Sequence, residues 1–251
     1  MLRGAAMEFT VREHIWTKGE IGTLREACGY TDMIFEMAVP GIRAGVSELH
    51  ILGLMYNACK RIAADTKRFR LLNIDFAIIE SGLRTAELHG RATEKPLENG
   101  DFLTIDFGVD FKGVSTDFTR TLVIGKASEK QRHIYTTVHS AIMAAEKAIK
   151  PGCTGQQADA YARDIIRNAG YGECFSHSLG HGFADMTAME SDGVSLSENA
   201  RDLILKEGMV FTIEPGIYIE GFGGVRIEDT VLLTKSGVEP LFRYTKELQE
   251  I

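Results

Sequence analysis

The stretch Leu103-Thr104-Ile105-Asp106-Phe107-Gly108-Val109 alternates apolar residues with small or polar ones, which is typical of a β-strand with one buried face. A polar face recurs at every second position of the next strand-like segment, at Ser115, Asp117, Thr119 and Thr121. A hairpin that turns at Phe111-Lys112 places Asp106 directly opposite Asp117, and a turn at Lys112-Gly113 makes them diagonal neighbours on one face. Because opposed like charges destabilise a β-ladder, this pair predicts a shared proton or a bound cation.

Three more residues of metal-ligand type occur farther along the chain. They are His181 between two glycines, Glu214 in Val210-Phe211-Thr212-Ile213-Glu214-Pro215, and Glu228 in Gly224-Val225-Arg226-Ile227-Glu228. A charge among apolar residues is costly unless it is compensated, and two divalent cations would balance four carboxylates. One imidazole and no thiolate favour catalytic Mn²⁺, Co²⁺, Fe²⁺ or Zn²⁺. Such a pair lowers the pKa of a bridging water and polarises a carbonyl group, as hydrolysis requires.

Composition narrows the class of protein. The 251 residues are 44% hydrophobic and 25% charged, which suits a soluble globular protein. A net charge of −7 without a basic stripe argues against nucleic-acid binding. No apolar run approaches the roughly 18 residues of a membrane span, and the N-terminus is too short and polar for a secretory signal. The four scattered cysteines indicate reduced thiols and a cytoplasmic location.

The segment pattern predicts an α+β domain. Helices are expected from Lys18, capped by Thr17, to about Val39, after the cap Ser47, from Ser128 to Lys150 and from Thr154 onward. Strands are expected around Phe76–Glu80, over Phe102–Ile124 and through the last third. The second helix is expected to carry Leu49, Leu52, Met55, Cys59 and Ile62 on roughly one face, and the last helix is expected to turn Tyr161, Ile165 and Ile166 inward. We expect residues 1–16 to form a tail or a short extra element and residues 17–251 to form one domain.

Two Pro-Gly turns indicate an internal repeat. The segments 38–45 and 149–155 each join two helices, and strands follow each pair. This repeat predicts pseudo-symmetric halves whose helices cover one curved antiparallel sheet. Ligands occur in both halves, so the predicted metal site lies at their junction.

Taken together, these residues resemble the metallopeptidases with the pita-bread (creatinase/aminopeptidase) fold, from about Lys18 to Thr234. The resemblance implies that Asp117 and Glu228 bridge two metal ions, with Mn²⁺ the first choice. It also implies that Asp106 completes one ion and that His181 with Glu214 completes the other. Glu214 is then the expected proton shuttle for an attacking hydroxide that bridges the metals.

The wording of the motifs favours the Xaa-Pro peptidase branch, which includes prolidases and aminopeptidase P. The segments Leu88–Thr93, Glu214–Tyr218 and Val225–Asp229 are similar to signatures of that branch. By this similarity, His89 and His177 lie beside the metals and hold substrate and intermediate oxygens. The protein is expected to be an exopeptidase that depends on two metal ions and cleaves the N-terminal Xaa-Pro bond of a peptide. A homodimer is compatible with the resemblance, and neither a membrane nor nucleic acid is an expected partner.

Departures from the family pattern keep alternatives open. Ala188 stands where relatives usually carry a histidine, Ala184 stands where they carry a glycine, and Xaa-Pro enzymes usually have a whole preceding domain. A methionine aminopeptidase-like activity is one alternative. A non-catalytic module that binds peptides or proteins is a second, and metal-assisted chemistry on another substrate is a third.

Overall fold

Antiparallel strands from both halves of the chain form one sheet in the computed structural model, which describes residues 14–68, 70–183 and 194–251. Strands in the described part of the chain are β1 (Leu72–Ser81), β2 (Phe102–Phe111), β3 (Val114–Ser115), β4 (Phe118–Val123), β5 (Gly180–His181), β6 (Ser195–Leu196), β7 (Val210–Ile213), β8 (Gly216–Ile219), β9 (Gly223–Arg226), β10 (Glu228–Thr234) and β11 (Gly237–Pro240). The main sheet has the order β1-β2-β4-β10-β11, with β3 on β2 and β7 on β10. The pairs β5–β6 and β8–β9 are separate ladders.

Helices cover this sheet in two pairs. They are α1 (Lys18–Ala38), α2 (Glu48–Asp65), α3 (Glu129–Ala148) and α4 (Gly155–Asn168). Each begins at a predicted cap, at Thr17, Ser47, Ser128 and Thr154, whose hydroxyl accepts a backbone N–H of the first turn. The four predicted helix starts are therefore confirmed.

Two apolar cores follow the two helix pairs. The first packs α1 and α2 on β2 and β4, where Phe35 contacts Phe107 and Phe118. The second packs α3 and α4 on the later strands, among them β7 and β10. One helix pair and its core thus belong to each half, and the expected α+β class with helices on an antiparallel sheet is confirmed.

The hairpin of β2 with β3 and β4 decides between the two predicted registers. Phe111 pairs with Val114, so the turn residues are Lys112 and Gly113, both at positive φ as the hairpin twist requires. The same register pairs Asp106 with Thr119. Asp117 is consequently the diagonal neighbour of Asp106 rather than its direct partner.

Two helix faces differ from the prediction. Leu49 is 43% exposed, because α2 turns Ile51 and Met55 toward the core and two residues rotate a helix by about 200°. Tyr161 is 37% exposed, because α4 buries Ala162 and its helical neighbours instead. The grouping of Leu49 with Met55 on one face and the inward assignment of Tyr161 are therefore wrong.

Part of the predicted N-terminal tail packs into the core. Trp16 is buried, its ring lies 6.2 Å from that of Phe183, and its backbone N–H donates to the carbonyl of Gly208 at 2.9 Å. Residues 1–13 lie outside the described residues. No helix within the described ranges is long and apolar enough to cross a membrane.

Candidate metal centre

The strand register gathers the predicted acids around Thr119. This residue of β4 pairs with Asp106 of β2 on one side and with Glu228 of β10 on the other. Directly paired residues share a face, so both carboxylates lie on the same side of the sheet. Asp117 directly precedes β4 and Glu214 directly follows β7. The sheet therefore concentrates four acids on one surface.

His181, in β5, completes the group. Ligand atoms of Asp117, His181 and Glu228 all lie within 4.8 Å of one another. The Nε2 atom of His181 is 3.5 Å from Oδ2 of Asp117 and 3.5 Å from Oε1 of Glu214. These separations suit side chains that share one cation.

Three residues without a predicted role hold the acids in place. Thr119 donates to Oε2 of Glu228 at 2.6 Å. The Thr212 hydroxyl accepts the N–H of His181 at 3.0 Å and donates to Oε1 of Glu214 at 3.0 Å. Arg226 donates to Oδ2 of Asp106 at 2.6 Å. The sequence signal for Arg226 was a charged residue in an otherwise apolar strand.

Electrostatics at this surface favour a bound cation. Burial raises the pKa of Asp106 to about 6, and burial together with the neighbouring acids raises the pKa of Glu228 well above its ordinary value. Burial alone would lower the pKa of His181, but its hydrogen bond to Asp117 and the charge of Glu214 raise it to about 10. Among the described residues, Oδ1 of Asp106 is buried without a hydrogen-bond partner. This oxygen-rich set with one imidazole fits divalent cations.

One cavity of about 580 Å³ joins the acids to both predicted histidines. All seven predicted site residues line it, namely His89, Asp106, Asp117, His177, His181, Glu214 and Glu228. His89 is exposed at this cavity. The structure thus brings together every residue that the sequence nominated.

His177 is held at both ring nitrogens. Nδ1 lies 2.8 Å from the carbonyl oxygen of Ser178, so it carries the proton, and Nε2 lies 2.9 Å from the Tyr218 hydroxyl, which then donates. Burial lowers the pKa of His177 to about 4, which keeps the ring neutral. Tyr218, a residue without a predicted role, therefore orients His177. The departures at Ala184 and Ala188 fall outside the described residues.

Comparisons with known proteins identify the family to which the chain is similar. A family model described as metallopeptidase family M24 matches residues 22–235. A Xaa-Pro dipeptidase of Pyrococcus furiosus is 41% identical over 239 residues, which is 93% of this chain and 64% of that protein.

Solved structures match over the same region. The structure of a Xaa-Pro dipeptidase from Bacillus anthracis superposes with a TM-score of 0.87 at 40% identity, over 95% of this chain and 64% of that chain. A substrate complex of Escherichia coli aminopeptidase P gives a TM-score of 0.76 at 26% identity, over 91% and 56%. The chain spans less than two thirds of the length of these relatives.

Proposed function

The chain belongs to metallopeptidase family M24 and has its pita-bread fold, and from this premise we propose that it is a metal-dependent exopeptidase that removes the residue preceding proline from the N-terminus of a peptide. Relatives named Xaa-Pro dipeptidase, about 40% identical to this chain, support the choice of substrate. A cytoplasmic location and one catalytic domain over residues 17–251 are part of the proposal.

The observation that carries the proposal is the excess of buried acid at the candidate centre. Four carboxylates line one cavity with His181, and the partnerless Oδ1 of Asp106 lies among them. Such a cluster is costly for a protein to fold without cations, and its donor set fits two of them. We assign Asp117 and Glu228 to both ions, Asp106 to one, and His181 with Glu214 to the other.

When bound, a pair of divalent cations lowers the pKa of a water molecule and polarises the scissile carbonyl group. Mn²⁺ is the first candidate, before Co²⁺, Fe²⁺ and Zn²⁺. The remaining tasks fall to side chains of this chain.

Glu214 is the proposed proton shuttle. Its backbone N–H donates to the carbonyl of Leu179 at 2.8 Å, and Thr212 holds its Oε1, so its Oε2 can take a proton from the attacking water. Burial raises the pKa of Glu214, which makes its carboxylate a better base than one in water. The same group can then pass the proton to the departing amine.

The histidines are proposed to hold oxygens of the substrate. His89 is exposed at the cavity and is assigned the first contact with the substrate carbonyl. His177 already engages Ser178 and Tyr218, so its own contact with substrate requires exchange of the tyrosine hydroxyl for a substrate group.

The test is release of the N-terminal residue from matched Xaa-Pro and Met-Ala peptides, with added Mn²⁺ or Co²⁺ and again with a chelator. We expect metal-dependent cleavage of the Xaa-Pro peptides. Preference for Met-Ala would instead establish a methionine aminopeptidase-like activity. Bound metal without cleavage of any peptide would contradict the proposed enzyme and support a binding module.

A further inference from the structure

Two fully buried carboxylates outside the metal centre bind the loops that carry His89 and His177. Glu48 is the first residue of α2, Asp159 lies in α4, and both are 0% exposed. A buried carboxylate must be compensated by donors, and in both cases the donors belong to a loop that borders the cavity. These helices are the second members of the two pseudo-symmetric pairs.

In the first half, Glu48 closes the base of the loop that contains His89. Its Oε1 accepts the N–H of Ser81 at 2.8 Å, and its Oε2 accepts the N–H of Thr93 at 2.9 Å. Arg84 pairs with the same carboxylate. The two ends of the loop are therefore joined through one side chain.

In the second half, Asp159 acts together with Arg163, one helical turn later. The guanidinium binds both carboxylate oxygens of Asp159, at 2.6 and 2.9 Å. Its remaining donors reach the carbonyl of Phe175 at 2.9 Å and the carbonyl of His177 at 2.7 Å. Oδ1 of Asp159 also accepts the N–H of Leu179 at 3.2 Å. The same N–H donates to the backbone carbonyl of Leu196. The ion pair therefore spans residues 175–179.

The same pair reaches both the ring of His177 and the backbone of Glu214. Arg163 lies over the Phe175 ring at 4.1 Å, and that ring meets the His177 ring edge-on at 5.1 Å. The carbonyl of Leu179, on the other side of the loop, accepts the N–H of Glu214. Residues 175–179 form no ladder of their own before β5, so Arg163 supplies donors to two of their carbonyl groups.

We propose that Asp159 and Arg163 are positioning residues, which hold His177 and the backbone beside Glu214 in the arrangement that peptide hydrolysis needs. This inference rests on the function proposed above. A bidentate Arg–carboxylate pair suits the task, because its planar geometry fixes several acceptors at once. Neither residue lines the cavity of the metal centre, so both act through the loop.

The experiment compares Arg163→Met, Arg163→Lys and Asp159→Asn with the full chain. His177 is titrated by NMR in the chelated protein, and kcat and KM are measured on a Xaa-Pro dipeptide with Mn²⁺. In the wild type, burial holds the pKa of His177 at about 4, and the nearby charges of Arg226 and Arg163 lower it as well. Loss of the Arg163 charge raises this pKa in Arg163→Met by itself. A rise in Arg163→Lys and Asp159→Asn, which both keep the cation, is therefore the result we expect from a loosened loop that lets water reach the ring. We expect kcat to fall about 10- to 100-fold with KM within about twofold, and Arg163→Lys to lie between the wild type and Arg163→Met.

Two matched controls separate positioning from general loss of stability. Ile166→Val removes one methyl group from the buried face of the same helix and should leave both the His177 titration and kcat unchanged. Glu48→Gln replaces the equivalent carboxylate of the other half by a neutral amide. It should lower activity through the loop that contains His89 and leave the His177 titration unchanged.

The outcomes distinguish this inference from the proposed function. Folded variants with an unshifted His177 and unchanged kcat would overturn the positioning role while peptidase activity stands. If the wild type cleaves no peptide, the proposed function fails, and the His177 titration alone still decides whether the pair positions that residue. Arg163→Lys, the mildest change, keeps the charge and serves if the other variants do not fold.

Discussion

Two clusters of buried charge lie on opposite faces of β10, separated by one peptide bond. Glu228 points into the front cluster, which contains Asp106, Asp117, Glu214 and Glu228 with His181 and Arg226 as its bases. Asp229 points the other way, into a rear cluster of Arg120, Glu146, Asp229 and Lys246. The rear cluster has two acids for two bases, whereas the front cluster has four acids.

The rear cluster is a buried ion network in which each acid lies within ion-pair distance of a base of this chain. Arg120 is 1% exposed and donates to Asp229 at 2.8 Å. Lys246 lies 2.5 Å from Oδ2 of Asp229 and 3.2 Å from Oε1 of Glu146. The remaining donors of Arg120 reach four backbone carbonyls, which belong to Thr119, Glu228, Tyr244 and Thr245.

The contrast between the clusters lies in their balance of charge rather than in their burial. Every acid of the rear cluster faces a base of this chain. In the front cluster, Asp106 has Arg226 as its partner, while Asp117 and Glu214 share His181. An excess of buried negative charge is costly, so the front cluster is arranged for cations from outside the chain.

The largest difference between the clusters should be in turnover. Glu214→Gln keeps the shape of the side chain but removes the base, so kcat should fall about 10²- to 10⁴-fold while the fold is retained. Glu146→Gln, the same change in the rear cluster, should leave kcat within about twofold. Peptide release by the two variants, measured under the same metal conditions, checks this. Near-normal turnover of Glu214→Gln would remove its role as proton shuttle.

The next difference is in stability without metal. Asp229→Asn leaves the charge of Arg120 without its carboxylate and Lys246 with Glu146 alone, and should lower the free energy of unfolding by about 3–5 kcal/mol. Glu228→Gln, one residue earlier, relieves repulsion among the front acids and should be neutral or stabilising. Urea unfolding of both variants in the presence of a chelator measures this difference. Equal losses of unfolding free energy in the two variants would contradict the proposed difference between the two faces of β10.

Metal binding should make Glu228→Gln less stable than the wild type, although it is expected to be neutral or stabilising without metal. At a concentration about 100 times its dissociation constant, a cation that binds only the folded state adds about 2.7 kcal/mol to the free energy of unfolding. We expect this gain from Mn²⁺ in the wild type and its loss in Glu228→Gln. Thermal unfolding with and without Mn²⁺, together with a metal count, provides the measurement. A full gain in Glu228→Gln would contradict its assignment as a ligand.

The smallest expected effect is the change in stability per pH unit that the rear cluster causes. Burial raises the pKa of Glu146 to about 7, although Lys246 opposes the shift. Between pH of about 4.5 and 7 the folded state keeps a proton that the unfolded state releases, so stability falls as pH rises, by at most about 1.4 kcal/mol per unit. Glu146→Gln lacks this titration. The wild type should therefore lose stability relative to the variant across that window, and a constant difference in unfolding free energy would contradict it.

The front cluster was predictable because each acid stands in a strand pattern that sequence alone reveals. Asp106 alternates with apolar neighbours, Glu214 follows the strand-like segment Val210–Ile213, and Glu228 follows Ile227 in a second strand-like segment. The sequence left the hairpin register open between two turns, because either places Asp106 and Asp117 on one face. The positive φ of Lys112 and Gly113 decides it in the structure.

The rear cluster was not predictable, because its members come from separate elements with no common spacing. Glu146 lies on α3, Arg120 on β4, and Lys246 follows β11 in a segment without regular secondary structure. The predicted placements of Leu49 and Tyr161 were wrong for a related reason, because apolar character alone does not determine which side of a helix packs on the sheet. Tertiary packing supplies that information.

The bonds from Arg120 to Tyr244 and Thr245 also constrain the order in which the protein can assemble. Those partners lie 124 and 125 positions later in the chain. A nascent polypeptide that ends at β10 contains every residue of the front cluster but lacks the two carbonyl groups to which Arg120 donates. Contacts of such long sequence separation form slowly, because loop-closure entropy must be overcome first. Completion of the Arg120 hydrogen bonds therefore waits for the C-terminal segment that carries Tyr244 and Thr245.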